Sequence, residues 1–302
     1  MAAAVIGILS PGDMGAAIGA VLREHGATVL TCLAGRSELT RLRAREAGFR
    51  ACSDVDALVR EAELILSVLV PAEAESLAIQ IAESMRRTGS RPPFADCNAI
   101  SPGTMRRIAA RVEAAGAAVI DAGIIGPPPG AGRGTRIYCS GPLVSSLTEL
   151  NDLGLDVRVV GEAIGQASGL KMVYAASTKG TTALWTELLV AAKALGLDEA
   201  LAAEFAQSRA GIAGRVSAGI PSMPRRARRW VGEMEEIART FAEVGLTPRM
   251  LDGAADIYRL VGETALADQT SREPDPTLET VLASLAAQLG GHPSEQQQHS
   301  AT

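Results

Sequence analysis

Histidine is nearly absent from this chain, and its absence excludes a good deal of chemistry. Of 302 residues only His25, His292 and His299 are histidines, the last two in a polar terminal stretch. A Ser-His-Asp triad, a histidine-rich metal centre or a histidine proton donor needs an imidazole in mid-chain. None stands there, and no metal site is expected. Lysine is as scarce: the 29 basic residues include Lys171, Lys179 and Lys193 and are otherwise arginine. Arginine stays protonated, whereas lysine can shift its pKa and hand over a proton. Three lysines confined to one stretch therefore mark a place where that chemistry is needed. The four cysteines, Cys32, Cys52, Cys97 and Cys139, form no CxxC pair and are expected as free thiols in a reducing compartment. No apolar run approaches the roughly 18 residues of a membrane span. With a net charge of −5 there is no basic footprint for nucleic acid. The opening MAAAVIGILSPGDMG has no basic stretch ahead of its apolar run, so no signal peptide is expected and the chain is read as cytoplasmic.

What is present is a globular composition, 47% hydrophobic and 21% charged, long enough for two domains. Short apolar runs at 4–9, 27–33, 49–51, 64–70, 93–98 and 117–124 alternate with helical stretches such as 37–47 and 54–62. Strands that are apolar on both faces, alternating with helices, predict a parallel sheet covered on both sides. RIYCSG at 136–141 and VRVVG at 157–161 read as two further strands at the edge. From about 164 to 288 the chain is rich in Ala, Leu, Glu and Arg at helical spacing. The fold class expected is α/β: a Rossmann-like N-terminal domain over 1–163, an all-α domain over 164–288, and a disordered tail over 289–302.

The segment Ser10-Pro11-Gly12-Asp13-Met14-Gly15 lies between the first strand and the first helix, where a dinucleotide fingerprint belongs. Ser10 replaces the first glycine. Gly12 would let the backbone approach a pyrophosphate, Gly15 would let the helix pack closely on the strand, and the helix N-terminus would supply amide donors. At the end of the second strand no acid is present to accept bonds from a ribose 2′-hydroxyl. Arg36 and Ser37 stand there instead and favour a 2′-phosphate, hence NADP over NAD; Ser37 is equally a helix N-cap. Further on, Lys171 lies near the start of a helix. At 100° per residue it shares a face with Ala175, Thr178 and Thr182, flanked by Tyr174 and Lys179. A partly desolvated lysine there could serve as a general acid.

These features resemble the β-hydroxyacid dehydrogenase and 6-phosphogluconate dehydrogenase superfamily over roughly residues 4–285. The likeness rests on the Asp-Met-Gly ending of the loop, Val70-Pro71, Asp96-Cys97-Asn98, Asp121-Ala122-Gly123, and above all Gly-Gln-Ala…Lys-Met-Val at 165–173. The resemblance implies Lys171 as catalytic acid and base, with Val70, Pro71 and Asn98 bordering the cofactor. The chain also departs from the family. The asparagine four residues after the lysine is Ala175, and a glutamate proton donor is Thr178. The serine-glycine-glycine substrate loop falls at Ile125-Gly126-Pro127. A 6-phosphogluconate substrate is therefore not expected. Ile125, Gly126, Tyr174 and Ala175 are expected to border a reshaped pocket, with Thr178, Lys179 or Tyr174 replacing the missing contacts. Arg225, Arg226, Arg228 and Arg229 before Trp230 read either as an anion site with Trp230 as its apolar wall or as a solvated helix face with an Arg229–Glu233 pair. Met172, Met223 and Met234 read as core filling. The resemblance also implies a homodimer. The reading is an NADP-linked hydride transfer on a small 3-hydroxy acid-like substrate. An imine reductase and a non-catalytic dinucleotide-binding protein are the alternatives.

Overall fold

The computed structural model describes residues 4–130, 134–270 and 273–289. The terminal stretch expected as a disordered tail lies almost wholly outside them. Two compact units are present, one comprising Met1–Tyr174 with Arg239–Leu246, the other Ala175–Ala238 with Thr247–Thr302. The first unit thus runs past the boundary expected at residue 163.

In the first unit, β1 (Val5–Leu9), α1 (Asp13–Glu24), β2 (Thr28–Cys32), α2 (Glu38–Glu46), β3 (Arg50–Cys52), α3 (Val55–Glu61), β4 (Leu64–Ser67), α4 (Pro71–Thr88), β5 (Phe94–Asp96), α5 (Pro102–Glu113) and β6 (Val119–Ile125) alternate as the apolar runs require. Then come β7 (Arg136–Ser140), the single turn α6 (Ser145–Thr148) and β8 (Val157–Gly161). The eight strands form one sheet in the order β3-β2-β1-β4-β5-β6-β7-β8, parallel except where β7 pairs antiparallel with β6. Every residue of β4 and β6 is buried, because helices cover both faces. One face carries a cluster built on Leu58, Leu77, Ile81, Met85, Ile108 and Val112; the other is built on Ile18, Leu22, Ile120, Ile137, Leu147 and Leu150. The order β3-β2-β1-β4 reverses direction between β1 and β4. In open sheets that is where ligands bind, outside the carboxyl ends of the strands.

The run 64–70 stops being a strand at Ser67. Asn98 explains the early end: its Oδ1 accepts from Leu69 N–H at 2.6 Å, drawing the chain out of the ladder toward α4. The helical region follows as α7 (Gln166–Ala175), a π-helical turn over Ala176–Gly180, α8 (Thr181–Ala194), α9 (Asp198–Ser208), α10 (Ala210–Ser217), α11 (Pro224–Glu243), α12 (Arg249–Gly262) and α13 (Leu278–Leu289). Met172, Met223 and Met234 are fully buried, as core filling demands. Among the described residues no helix is long and apolar enough to cross a membrane. All four cysteines are free.

Candidate functional site

The loop after β1 has the geometry of a phosphate cradle. Ser10 occupies the left-handed region at φ 62°, the one described non-glycine residue to do so, so the position of the missing glycine keeps glycine's conformation at the cost of strain in a serine. At Gly12 a built Cβ would meet nothing within 4 Å, leaving the backbone open to a ligand. Gly15 does not play its expected part. Its built Cβ would lie 3.5 Å from Ile8, an ordinary contact, whereas at Gly19 it would fall 2.1 Å from Phe49. The close packing of α1 is therefore set one turn later than the fingerprint suggests. Met14 packs into the core beside β1. Asp13 pairs with Arg43 at 2.5 Å.

Helix capping separates the helices around this point. Ser37, Asp54 and Ser101 cap α2, α3 and α5 through their side chains. By contrast α1, entered from Gly12, and α4, entered from Val70 with Pro71 at its first turn, have no side-chain cap. Their first amides are left to other partners, and they follow β1 and β4, the two strands at the reversal point. Val70 is 42% exposed there. Asn98 is 2% exposed, and its amide is spent internally on Leu69 N–H, Ser67 Oγ and Asp96 Oδ2. It shapes the loop carrying Val70 and Pro71 instead of reaching past it.

Beside the carboxyl ends of β1 and β2 lies a cavity of about 340 Å³ whose lining includes Leu9, Cys32, Ala34, Arg36, Asp54 and Arg87. Both acidic groups there are committed. Asp54 caps Ala57 N–H at 2.7 Å. Asp56 is gripped by Arg87 at 2.7 and 3.1 Å and by Ser84, which pull its carboxyl down to about 2. Arg36 makes no ion pair among the described residues; its carbonyl accepts from Arg41. Ser37 takes the capping role, accepting from Thr40 N–H at 3.2 Å. The open Gly12 and the uncapped α1 and α4 fit the phosphates of a dinucleotide. Arg87 was not legible as a member of the site, since nothing local in the sequence links α4 to β2.

Lys171 stands on α7, and α7 sits directly against β6. A Cβ built on Gly123 would lie 2.8 Å from Lys171 Cβ and 3.0 Å from the Ala167 carbonyl oxygen. A glycine inside the apolar run VIDAGII was the available signal of that close approach. Asp121, two residues earlier and fully buried, accepts hydrogen bonds from Gly165, Ala167 and Ser168 N–H and from the Ser140 and Ser168 hydroxyls. Burial pushes its carboxyl up while these donors pull against that.

Several expected substrate contacts are placed otherwise. Ile125 is 4% exposed and ends β6 in register with Arg136; Ala175 is 1% exposed. Neither side chain presents a face to a ligand. Gly126 and Tyr174 are exposed. The 100° spacing that aligned Lys171 with Thr178 and Thr182 fails beyond Ala175, because the next turn is π-helical. Thr178 Oγ1 donates back to the Ala175 carbonyl at 3.2 Å.

In the second unit, Lys179 Nζ pairs with Glu233 at 2.8 Å, both side chains nearly buried, and lies 5.5 Å above the Trp230 ring. Tyr258 meets Trp230 edge-on and donates its hydroxyl to the Lys179 carbonyl at 2.6 Å. Lys179 and Trp230 are thus tied into a packed knot around the π-helical turn. The Arg229–Glu233 pair forms at 3.5 Å, but with Glu233 buried and not on a solvated face. Arg225 pairs with Asp275, and Arg228 with Asp268 and the Gly262 carbonyl, so much of the arginine cluster is used within its own unit.

Comparison with known proteins agrees with this anatomy. Residues 3–150 match the family described as the NAD binding domain of 6-phosphogluconate dehydrogenase, and residues 192–261 match a domain of unknown function (DUF1932). An uncharacterized 28.5 kDa protein of Methanothermus fervidus is 28% identical over 196 residues, 65% of this chain and 74% of that relative. A solved conserved protein of unknown function, described as structurally similar to 3-hydroxyacid dehydrogenases, is 30% identical with TM-score 0.63, covering 85% of this chain and 99% of its own. At the level of fold, Mycobacterium tuberculosis 3-hydroxyisobutyrate dehydrogenase gives TM-score 0.67 at 19% identity, covering 94% and 99% of the two chains. An imine reductase of Bacillus cereus gives 0.54 at 19%, covering 84% and 92%. With its dinucleotide loop, its eight-stranded sheet reversing between β1 and β4, and its Lys171 helix seated on β6, the chain belongs to the β-hydroxyacid dehydrogenase and 6-phosphogluconate dehydrogenase-like superfamily, with DUF1932 in its C-terminal part.

Proposed function

We propose that this chain is an NADP-linked oxidoreductase moving a hydride between the nicotinamide and a carbonyl or hydroxyl carbon of a small 3-hydroxy acid-like substrate. The cofactor supplies or accepts the hydride. The protein's part is to hold the phosphates on the amides of α1 and the open backbone at Gly12, to read the 2′-phosphate with Arg36, and to move one proton. Lys171 Nζ donates that proton to the substrate oxygen during reduction and takes it back during oxidation. Its family role and its presence in a chain that otherwise uses arginine support the assignment. The observation that carries the reading is the seating of α7 on β6 at Gly123, which sets Lys171 beside a strand whose carboxyl end belongs to the ligand-binding edge. Thr178 and Lys179 are left out of the proton path, since one hydroxyl bonds back to its own helix and the other amine is paired.

The fold likeness to imine reductases supports a second reading, in which the acceptor is a C=N bond. Turnover with NADPH on short 3-hydroxy acids, their 3-oxo partners and cyclic imines separates the two. Oxidation or reduction at C–O alone is expected. Turnover of imines alone would transfer the proposal to the second reading, and tight NADPH binding without turnover of any of them would favour a non-catalytic binding protein.

A further inference from the structure

We propose that Asp121 is a positioning residue for Lys171, reaching from β6 to cap α7 and so fixing the height and rotation at which that helix presents its lysine. The inference deepens the reading of Lys171 given above and rests on it. A helix start leaves its first amides without partners, and a cap is ordinarily supplied by the residue just before the helix. Here the acceptor comes from 44 to 47 residues away: Gly165 N–H at 2.7 Å, Ala167 N–H at 3.1 Å and Ser168 N–H at 3.1 Å all point at the one carboxylate. Two hydroxyls complete the set, Ser168 Oγ and, at 3.0 Å, Ser140 Oγ; the latter also accepts from Ala167 N–H at 3.0 Å.

Each of these five groups donates to Asp121, which is what an ionised carboxylate asks for and what an amide cannot reciprocate. Ala167 and Ser168 are four and three residues before Lys171, on its side of the helix. The second fixed point is Gly123, whose missing side chain admits Ala167 and Lys171 against the strand. Strand and helix are thus joined by a charge at one end and by contact at the other, and the lysine lies over the contact. Turning the helix about its axis would break the donor set before it moved any other element.

The scarcity of lysine makes the test clean. Mass-mapped labelling with a small acylating reagent reads Lys171, with Lys179 and Lys193 as internal references on the same chain. Asp121→Asn removes a negative charge beside the helix start and turns an NH2 toward amide donors, so both effects raise the reactivity of the Lys171 amine. Its labelling relative to the two references is expected to rise at least about threefold. On a substrate that the enzyme turns over, kcat is expected to fall at least about tenfold while the KM for NADPH stays within about twofold, the signature of a displaced proton donor and not of a lost fold. Ser168→Ala and Ser140→Ala, which keep the carboxylate and remove one donor each, are expected to give smaller rises in the same order of labelling. A folded Asp121→Asn protein that labels at the wild-type ratio overturns the proposal. If that variant does not fold, wild-type ratios in both serine variants overturn it instead. Retained turnover in Lys171→Ala would defeat the functional reading while leaving the labelling result to stand or fall by itself.

Discussion

Replacing Arg36 by alanine gives the sharpest measure of how the cofactor is chosen. Arg36 is partly buried at a cavity of about 340 Å³, where Asp54 is held by the start of α3 and Asp56 by Arg87. It is the lining cation with no carboxylate of its own. A charge-assisted contact to a 2′-phosphate contributes about 1.5–3 kcal/mol, and the partial exposure of the guanidinium argues for the lower half of that range. Loss of about 1.5–2 kcal/mol corresponds to an affinity for NADPH about 10- to 30-fold weaker. NADH lacks the phosphate, so its affinity should change less than about twofold. The assay is calorimetric titration of both nucleotides into wild type and Arg36→Ala at one low ionic strength. Because Arg36 forms no ion pair among the described residues, thermal stability should hardly change and cannot account for the loss. Equal weakening for both nucleotides, or none for NADPH, would refute the argument that this side chain reads the 2′ position.

Three further outcomes follow from individual contacts. Ser10→Gly relieves a left-handed serine at φ 62° and should raise stability by about 0.5–1 kcal/mol, an increase of about 2 °C in Tm; a fall would mean that the Ser10 side chain supports the loop. Lys179→Met breaks the nearly buried pair with Glu233 and should cost about 3 kcal/mol in chemical denaturation while NADPH affinity is unchanged; unchanged stability with lost turnover would return Lys179 to the chemistry. Asp96 is fully buried and its carboxyl is pushed up to about 7 by desolvation, against the Asn98 donors. Between about pH 4 and 7 the native state therefore holds a proton that the unfolded chain has lost. Stability should fall as pH rises through that window, by no more than about 4 kcal/mol, and level off above it. Asp96→Asn should flatten this slope, and an unchanged slope would assign it to other groups.

Much of the fold was legible because parallel strands buried on both faces leave continuous apolar runs, as LILS at 64–67 and VIDAGII at 119–125 do. Around the candidate site, what was legible is local: the turn at 10–15 between β1 and α1, and a helix carrying Lys171. It was not legible where a partner arrives from far along the chain. Arg87 reaches the cavity beside β1 and β2 from α4, Glu233 takes Lys179 from α11, and the carboxylate that caps α7 belongs to β6. The π-helical turn after Ala175 defeated face assignment outright, because a constant 100° step presumes an α-helix throughout. Gly15 and Gly19 show a smaller version of the same limit: the motif marks where glycines stand, but only the packing of Phe49 shows which of them is needed for space.

The central claim is that Lys171 moves the proton, and Lys171→Ala tests it most directly. NADPH should bind the variant within about twofold of wild type, since the phosphate loop and Arg36 are untouched. The single-turnover rate of hydride transfer, followed by nicotinamide absorbance on a substrate accepted by the wild type, should fall by about 100-fold or more. Unimpaired transfer in a variant that binds NADPH normally would contradict the account.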